Sequence, residues 1–149
     1  MARVKLELPP SFVFATELRV RVGDVNHGGH LGNDRLLSLL QEARVRFLAQ
    51  HGCTELDLFG SALIQTDAVI VYRSEAFCGE TLRIELAGED FNKYGCDLLY
   101  RVTEKESGHE VARAKTGMVC FDYAARRLQR APAAFFALFN ERPERPVPH

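Results

Sequence analysis

The sequence predicts an α+β fold, a mostly antiparallel sheet whose apolar face is covered by one long helix. Three observations predict it. Residues 33–48 carry apolar side chains over a broad surface at helical spacing. One strand-like segment precedes that helix and four follow it, with apolar and polar residues alternating. The later strands are joined by short turns, which antiparallel neighbours permit and parallel neighbours do not.

The first strand is expected at Glu17 to Val22, where Leu18, Val20 and Val22 alternate with Glu17, Arg19 and Arg21. A Gly-rich polar turn follows. Asn33 is the expected N-cap, and Asp34 stands in the first turn where the helix dipole favours an anion. Leu36, Leu37, Leu39, Leu40, Ala43, Phe47 and Leu48 then form an apolar surface that ends at Gly52. A helix this apolar has to be wrapped by other structure. Thr54 to Phe59 is read as a short second helix. Strands follow at Ala68 to Tyr72, Thr81 to Ala87, Asp97 to Thr103 and Val111 to Tyr123, with Glu106-Ser107-Gly108 turning between the last two. Pro132 to Phe139 predicts a terminal helix with Pro132 at its first position. Residues 1–140 are thus expected to form one domain and 141–149 a frayed tail.

Composition narrows the function. The chain has 149 residues, 46% apolar and 26% charged, the balance of a globular domain with a real core. A net charge of −1 gives no electrostatic case for a nucleic-acid partner. No apolar run approaches the ~18 residues of a membrane span, and the N-terminus lacks a signal peptide's apolar middle. Cys53, Cys78, Cys96 and Cys120 are widely spaced without a CxxC pair, so they read as reduced, mostly buried thiols in a cytoplasmic protein. His27 and His30 lie in a turn with no third ligand spaced to them, and no phosphate-binding glycine loop occurs; neither metal nor nucleotide cofactor is expected.

The chemistry concentrates between Val22 and Leu48. Glycines let backbone approach a ligand closely, and the helix start offers unpaired N–H groups. Asp24 either holds the turn through backbone N–H groups or serves as an acid. Asn26 fits a left-handed turn as well as a polar site. His30, between Gly29 and the helix, is placed for proton transfer or for orienting an acid. Glu42, eight residues beyond Asp34, would suit a general base if embedded among leucines; its competing role is an ion pair with Arg46 at i+4. Arg44 reads as a brace, His27 as a solvated turn residue, His51 as a helix C-terminal cap and His109 as part of a hairpin turn.

Asp24-x-Asn26, Gly29-His30-Leu31-Gly32-Asn33 and Glu42-Ala43-Arg44, together with the strand from Ala112 to Asp122, resemble the acyl-CoA thioesterase family related to 4-hydroxybenzoyl-CoA thioesterase. The resemblance spans roughly residues 14–140 and implies the hotdog fold, an antiparallel sheet wrapped around one central helix. It implies hydrolysis of an acyl-CoA or acyl-carrier-protein thioester without a cofactor, by a homodimer or dimer of dimers with pockets between subunits. Gly29, Leu31, Gly32 and Asn33 then bind substrate and supply the oxyanion site. The family's second acid of D-x-D is Asn26 here, and an amide cannot take a proton. The acid role accordingly falls to Asp24, Asp34 or Glu42, or to His30 as base. Arg73, Arg126 and Arg127 are the candidates for CoA phosphates. Two alternatives are a non-catalytic acyl-CoA binder and a hotdog enoyl-CoA hydratase. The hydratase motif D-x-N-P-x-H is similar to Asp24-Val25-Asn26 and His30. Here Pro is missing and His follows Asp by six residues rather than five, a slip of about 3 Å.

Overall fold

Strand alternation decides which residues turn inward. The computed structural model describes residues 3–140; the expected tail at 141–149 lies outside the described residues. The strands are β1 (Phe14–Arg19), β2 (Ala62–Tyr72), β3 (Thr81–Asn92), β4 (Gly95–Glu104), β5 (Glu110–Asp122) and β6 (Arg127–Leu128). They form one antiparallel sheet in the order β1-β3-β4-β5-β2, with β6 beside the end of β5. Ile84, Val102 and Ala112 stand in one row across β3, β4 and β5, and Leu86, Tyr100 and Ala114 in the next. All six are fully buried.

The long helix α1 (Asn33–Gln50) covers this face, with Leu36, Leu40, Ala43 and Phe47 in the same buried cluster. Each such Leu, Ile or Phe contributes roughly 1.5–3 kcal/mol on leaving water. Inside this apolar layer Arg44 is 4% exposed. Its Nε donates to Glu55 (2.7 Å) and its Nη1 to Tyr100 Oη (3.3 Å) and Gln65 Oε1 (3.4 Å). Burial works against the guanidinium charge, but Tyr100 and Glu55 outweigh it and the pKa rises. Arg44 is thus the brace expected from sequence.

On the outer face of the sheet Arg101 and Arg113 stand in register, and the leading segment crosses them. Arg113 donates to the carbonyl of Leu6 (3.2 Å), and Arg101 lies over the Phe12 ring at 4.9 Å. Between β4 and β5 the chain turns through Ser107 and Gly108 as expected, with Ser107 donating to Glu104 and Gly108 at φ +75°.

Several boundaries differ from expectation. β1 begins earlier and stops at Arg19, because Val22 enters a 3-10 turn (Val22–Asp24) and is 78% exposed. Gly32, not Asn33, is the N-cap; its backbone is extended while Asn33 is already helical. His51 ends α1 as the C-cap. Thr54 to Phe59 is not a helix. Thr54 Oγ1 accepts from Asp57 N–H as a cap would, but Leu58 pairs with Ser61 and the chain reverses through Phe59 and Gly60, both at positive φ. The terminal helix α2 is shorter (Ala133–Ala137), with Pro132 one position before it. All four cysteines are free, with Cys53, Cys96 and Cys120 buried and Cys78 exposed.

Candidate active site

The site is built where the Gly-rich turn is stitched to the loop between β2 and β3. Leu31 N–H donates to the carbonyl of Ala76 (2.7 Å), and His30 faces Phe77 across an isolated bridge. That pairing sets His30, Leu31, Gly32 and Asn33 opposite Tyr72, Ser74 and Glu75, with Leu36 and Val111 below. The cleft between them holds about 70 Å³.

The turn itself is held by its acids and amides. Asp24 is 7% exposed; its Oδ2 accepts from Arg21 N–H (2.9 Å) and its carbonyl from Gly32 N–H (2.9 Å). This is the turn-holding role, and Asp24 does not line the cleft. Asn26 Oδ1 accepts from Gly28 N–H (3.0 Å), and the carbonyl of Asn26 accepts from Gly29, which sits at φ +80°. Gly28 leaves the space that His30 occupies. A Cβ there would lie 3.0 Å from His30 Nε2 and 3.3 Å from Asn26 Oδ1.

His30 Nδ1 lies 3.3 Å from the carbonyl of Leu31. An N–H on Nδ1 satisfies that carbonyl, which leaves Nε2 as the acceptor of a neutral ring. Nε2 is 3.9 Å from Glu75 Oε1. Across the cleft the Tyr72 hydroxyl donates to the carbonyl of Asn33 (2.8 Å). Partial burial and then the Asp34 charge push the Tyr72 phenol up, so it stays protonated as that donor. Asn33 and Asp34 are the first two residues of α1, so their N–H groups have no acceptor within the helix. No N-cap side chain covers them either.

The structure separates the carboxylates named from sequence. Asp34 is exposed at the rim, with Oδ1 folded toward Gly32, where a Cβ would meet it at 2.8 Å. Glu42 is not embedded among leucines. Its side chain is 47% exposed and pairs with Arg46 (3.1 Å), which also bonds Thr16 Oγ1 and the carbonyl of Glu17. At 100° per residue the eight-residue interval leaves Glu42 about 80° round the helix from Asp34. Arg73 follows Tyr72 beside the cleft, whereas Arg126 and Arg127 stand beyond the other end of β5, about 36 Å away along the strand. Tyr72, Ser74 and Glu75 were not singled out from sequence. Their only signal was a polar Arg73-Ser74-Glu75 step after an apolar strand.

Residues 20–139 match the sequence profile of the thioesterase-like superfamily. The chain belongs to that superfamily. Among solved structures, it is similar to the 1,4-dihydroxy-2-naphthoyl-CoA thioesterase of Synechocystis (TM-score 0.79, 22% identity, 86% of this chain and 96% of that one). It is also similar to a hypothetical protein of Staphylococcus aureus solved in complex with CoA (0.76, 17%, 97% and 94%). A third is YbaW, a probable thioesterase of Escherichia coli (0.66, 22%, 83% and 94%). No curated protein sequence matches. At these identities the structures establish the fold, the hotdog, in which the sheet wraps the central helix α1. For this thioesterase-like chain, no helix among the described residues is long and apolar enough to cross a membrane.

Proposed function

We propose that this protein hydrolyses acyl thioesters of coenzyme A, releasing the acid and the free thiol. One observation carries the reading: an uncapped helix start, an imidazole and a carboxylate converge on one cleft in a chain of the thioesterase-like superfamily. The thioester carbonyl points at the N–H groups of Asn33 and Asp34, which take the developing oxyanion. Gly29, Leu31 and Gly32 shape the backbone beside it. His30 Nε2 accepts the proton of the attacking water and returns it to the leaving thiolate. Asp24 and Asn26 hold the turn that carries His30, and Glu42 stays with Arg46. A CoA complex among the similar structures supports a CoA ester over other acyl donors.

The active unit in this reading is a homodimer or a dimer of dimers. A cleft of about 70 Å³ is far below the roughly 300–1,000 Å³ of a small-molecule site, which supports a reading in which a second subunit completes it. Strand β2 offers the contact. Among the described residues its outer edge pairs with no strand, and an open edge invites another chain.

Thiol release from acetyl-, hexanoyl-, palmitoyl- and benzoyl-CoA tests the proposal. Hydrolysis of at least one ester is expected, with His30→Ala lowering kcat by about 10²- to 10⁴-fold. Saturable binding of these esters without release would replace hydrolysis by acyl-CoA binding. Loss of an enoyl-CoA absorbance without thiol release would replace it by hydration.

A further inference from the structure

We infer that Glu75 is the carboxylate partner of His30, holding the hydrolytic water between them and standing in for the acid that Asn26 cannot supply. This role presupposes the thioester hydrolysis proposed above. The Oε1–Nε2 separation of 3.9 Å is too long for a direct hydrogen bond. In the tautomer whose Nδ1–H donates to the Leu31 carbonyl, both facing atoms are acceptors, and a water satisfies both by donating one O–H to each. Two bonds of about 2.8 Å at a water's tetrahedral angle span about 4.5 Å, so Glu75 has to withdraw by only about 0.6 Å. Its side chain is 64% exposed on the loop after β2 and is free to do so. The water's lone pairs then face the cleft that Asn33, at the helix start, also lines.

The step balances without another acid. The water oxygen bonds to the carbonyl carbon, one water proton passes to Nε2, and the carbonyl pair moves onto oxygen at the helix start. The C–S bond then breaks, and the thiolate takes the Nε2 proton. Between the two events His30 is an imidazolium facing the Glu75 carboxylate, a charge pair formed only after attack. Such an interaction raises kcat and leaves ground-state binding unchanged. Among the described residues no other carboxylate lines the cleft: Asp24 is bound to Arg21, Asp34 is exposed, and Glu42 is paired with Arg46.

The test is a double-mutant cycle on the full chain with the acyl-CoA ester that wild type hydrolyses fastest. Glu75→Gln is expected to lower kcat about 10- to 100-fold with KM within about twofold, and Glu75→Asp to recover part of the loss. On a His30→Ala background, Glu75→Gln is expected to cost less than about twofold, because the water has already lost its base. Wild-type kcat in Glu75→Gln, or an equal loss on both backgrounds, overturns the pairing and leaves the thioesterase reading standing. Absence of thiol release by wild type itself overturns that reading, and the role of Glu75 with it.

Discussion

Gly28→Ala separates the site from the fold that carries it. The new Cβ would lie 3.0 Å from His30 Nε2 and 3.2 Å from its Cδ2, where relaxed contacts to carbon run about 3.5–4.0 Å. The ring has to retreat by about half an ångström. Misplacing a reacting group by about 1 Å costs up to about 10²-fold, so half that displacement predicts roughly tenfold in kcat. Stability is expected to move the other way. Gly28 is not among the glycines at positive φ, so alanine is compatible with its backbone and gains about 0.4–1 kcal/mol from the unfolded chain, less the cost of the contact. Gly29→Ala is the counterpart. Its Cβ meets nothing within 4 Å, but φ is +80°, so it loses about 1 kcal/mol of stability while leaving Nε2 unobstructed. Urea denaturation and thiol-release kinetics on both variants read the two effects apart. Wild-type kcat in Gly28→Ala would refute the placement of Nε2 at the reacting centre. A fall in its stability parallel to kcat would assign the loss to the fold instead.

Two further variants test the frame. Arg44→Met strips Glu55, Gln65 and Tyr100 of their shared donor and is expected to destabilise by about 3 kcal/mol in chemical denaturation, the low end for breaking a buried pair because Glu55 is 24% exposed. A loss under about 1 kcal/mol would show that the network adds little. Asp97 has its pKa raised, by desolvation first and then by Asp90 and Asp67 against the opposing Lys115. A carboxyl raised in the folded state contributes stability at low pH that is lost as pH climbs through its folded value. Asp97→Asn is therefore expected to raise Tm at pH 7, with the gain vanishing as pH falls below the ordinary aspartate range. A gain independent of pH would refute the assignment.

The sheet and α1 were legible because their signals are local and periodic. Leu36, Leu40, Ala43 and Phe47 announce a helix face, and Leu82, Ile84 and Leu86 a strand face, without reference to any partner. What failed depended on a partner or on a chain reversal. Alternation carried β1 on to Val22, but pairing with β3 stops at Arg19 opposite Thr81. Thr54 bears the cap that starts many helices, and nothing local reveals that Phe59 and Gly60 will turn the chain back. Glu42 kept helical spacing with the leucines and still faced solvent, because the wrapped surface is narrower than the apolar residues suggest.

The same contrast explains why the turn is legible in the sequence and the proposed carboxylate is not. Turn and helix start are contiguous, so Gly29 to Asn33 could be read as one unit. Glu75 lies about forty residues on, and it is the backbone pairing of His30 and Leu31 with Ala76 and Phe77 that places it beside His30. Charge balance gives the amide at position 26 a reason. Asn26 Oδ1 and His30 Nε2 lie within 3.3 Å and 3.0 Å of one point above Gly28, so an aspartate at 26 would put a second anion near one imidazole that already faces Glu75. In the proposed mechanism one imidazolium is neutralised by one carboxylate, and a second would repel the oxyanion forming at the helix start. With Glu75 across the cleft, asparagine keeps the bond to Gly28 N–H that shapes the turn and adds no charge. In the proposed mechanism the acid in the loop after β2 and the amide in the turn are thus complementary, one supplying the charge and the other withholding it.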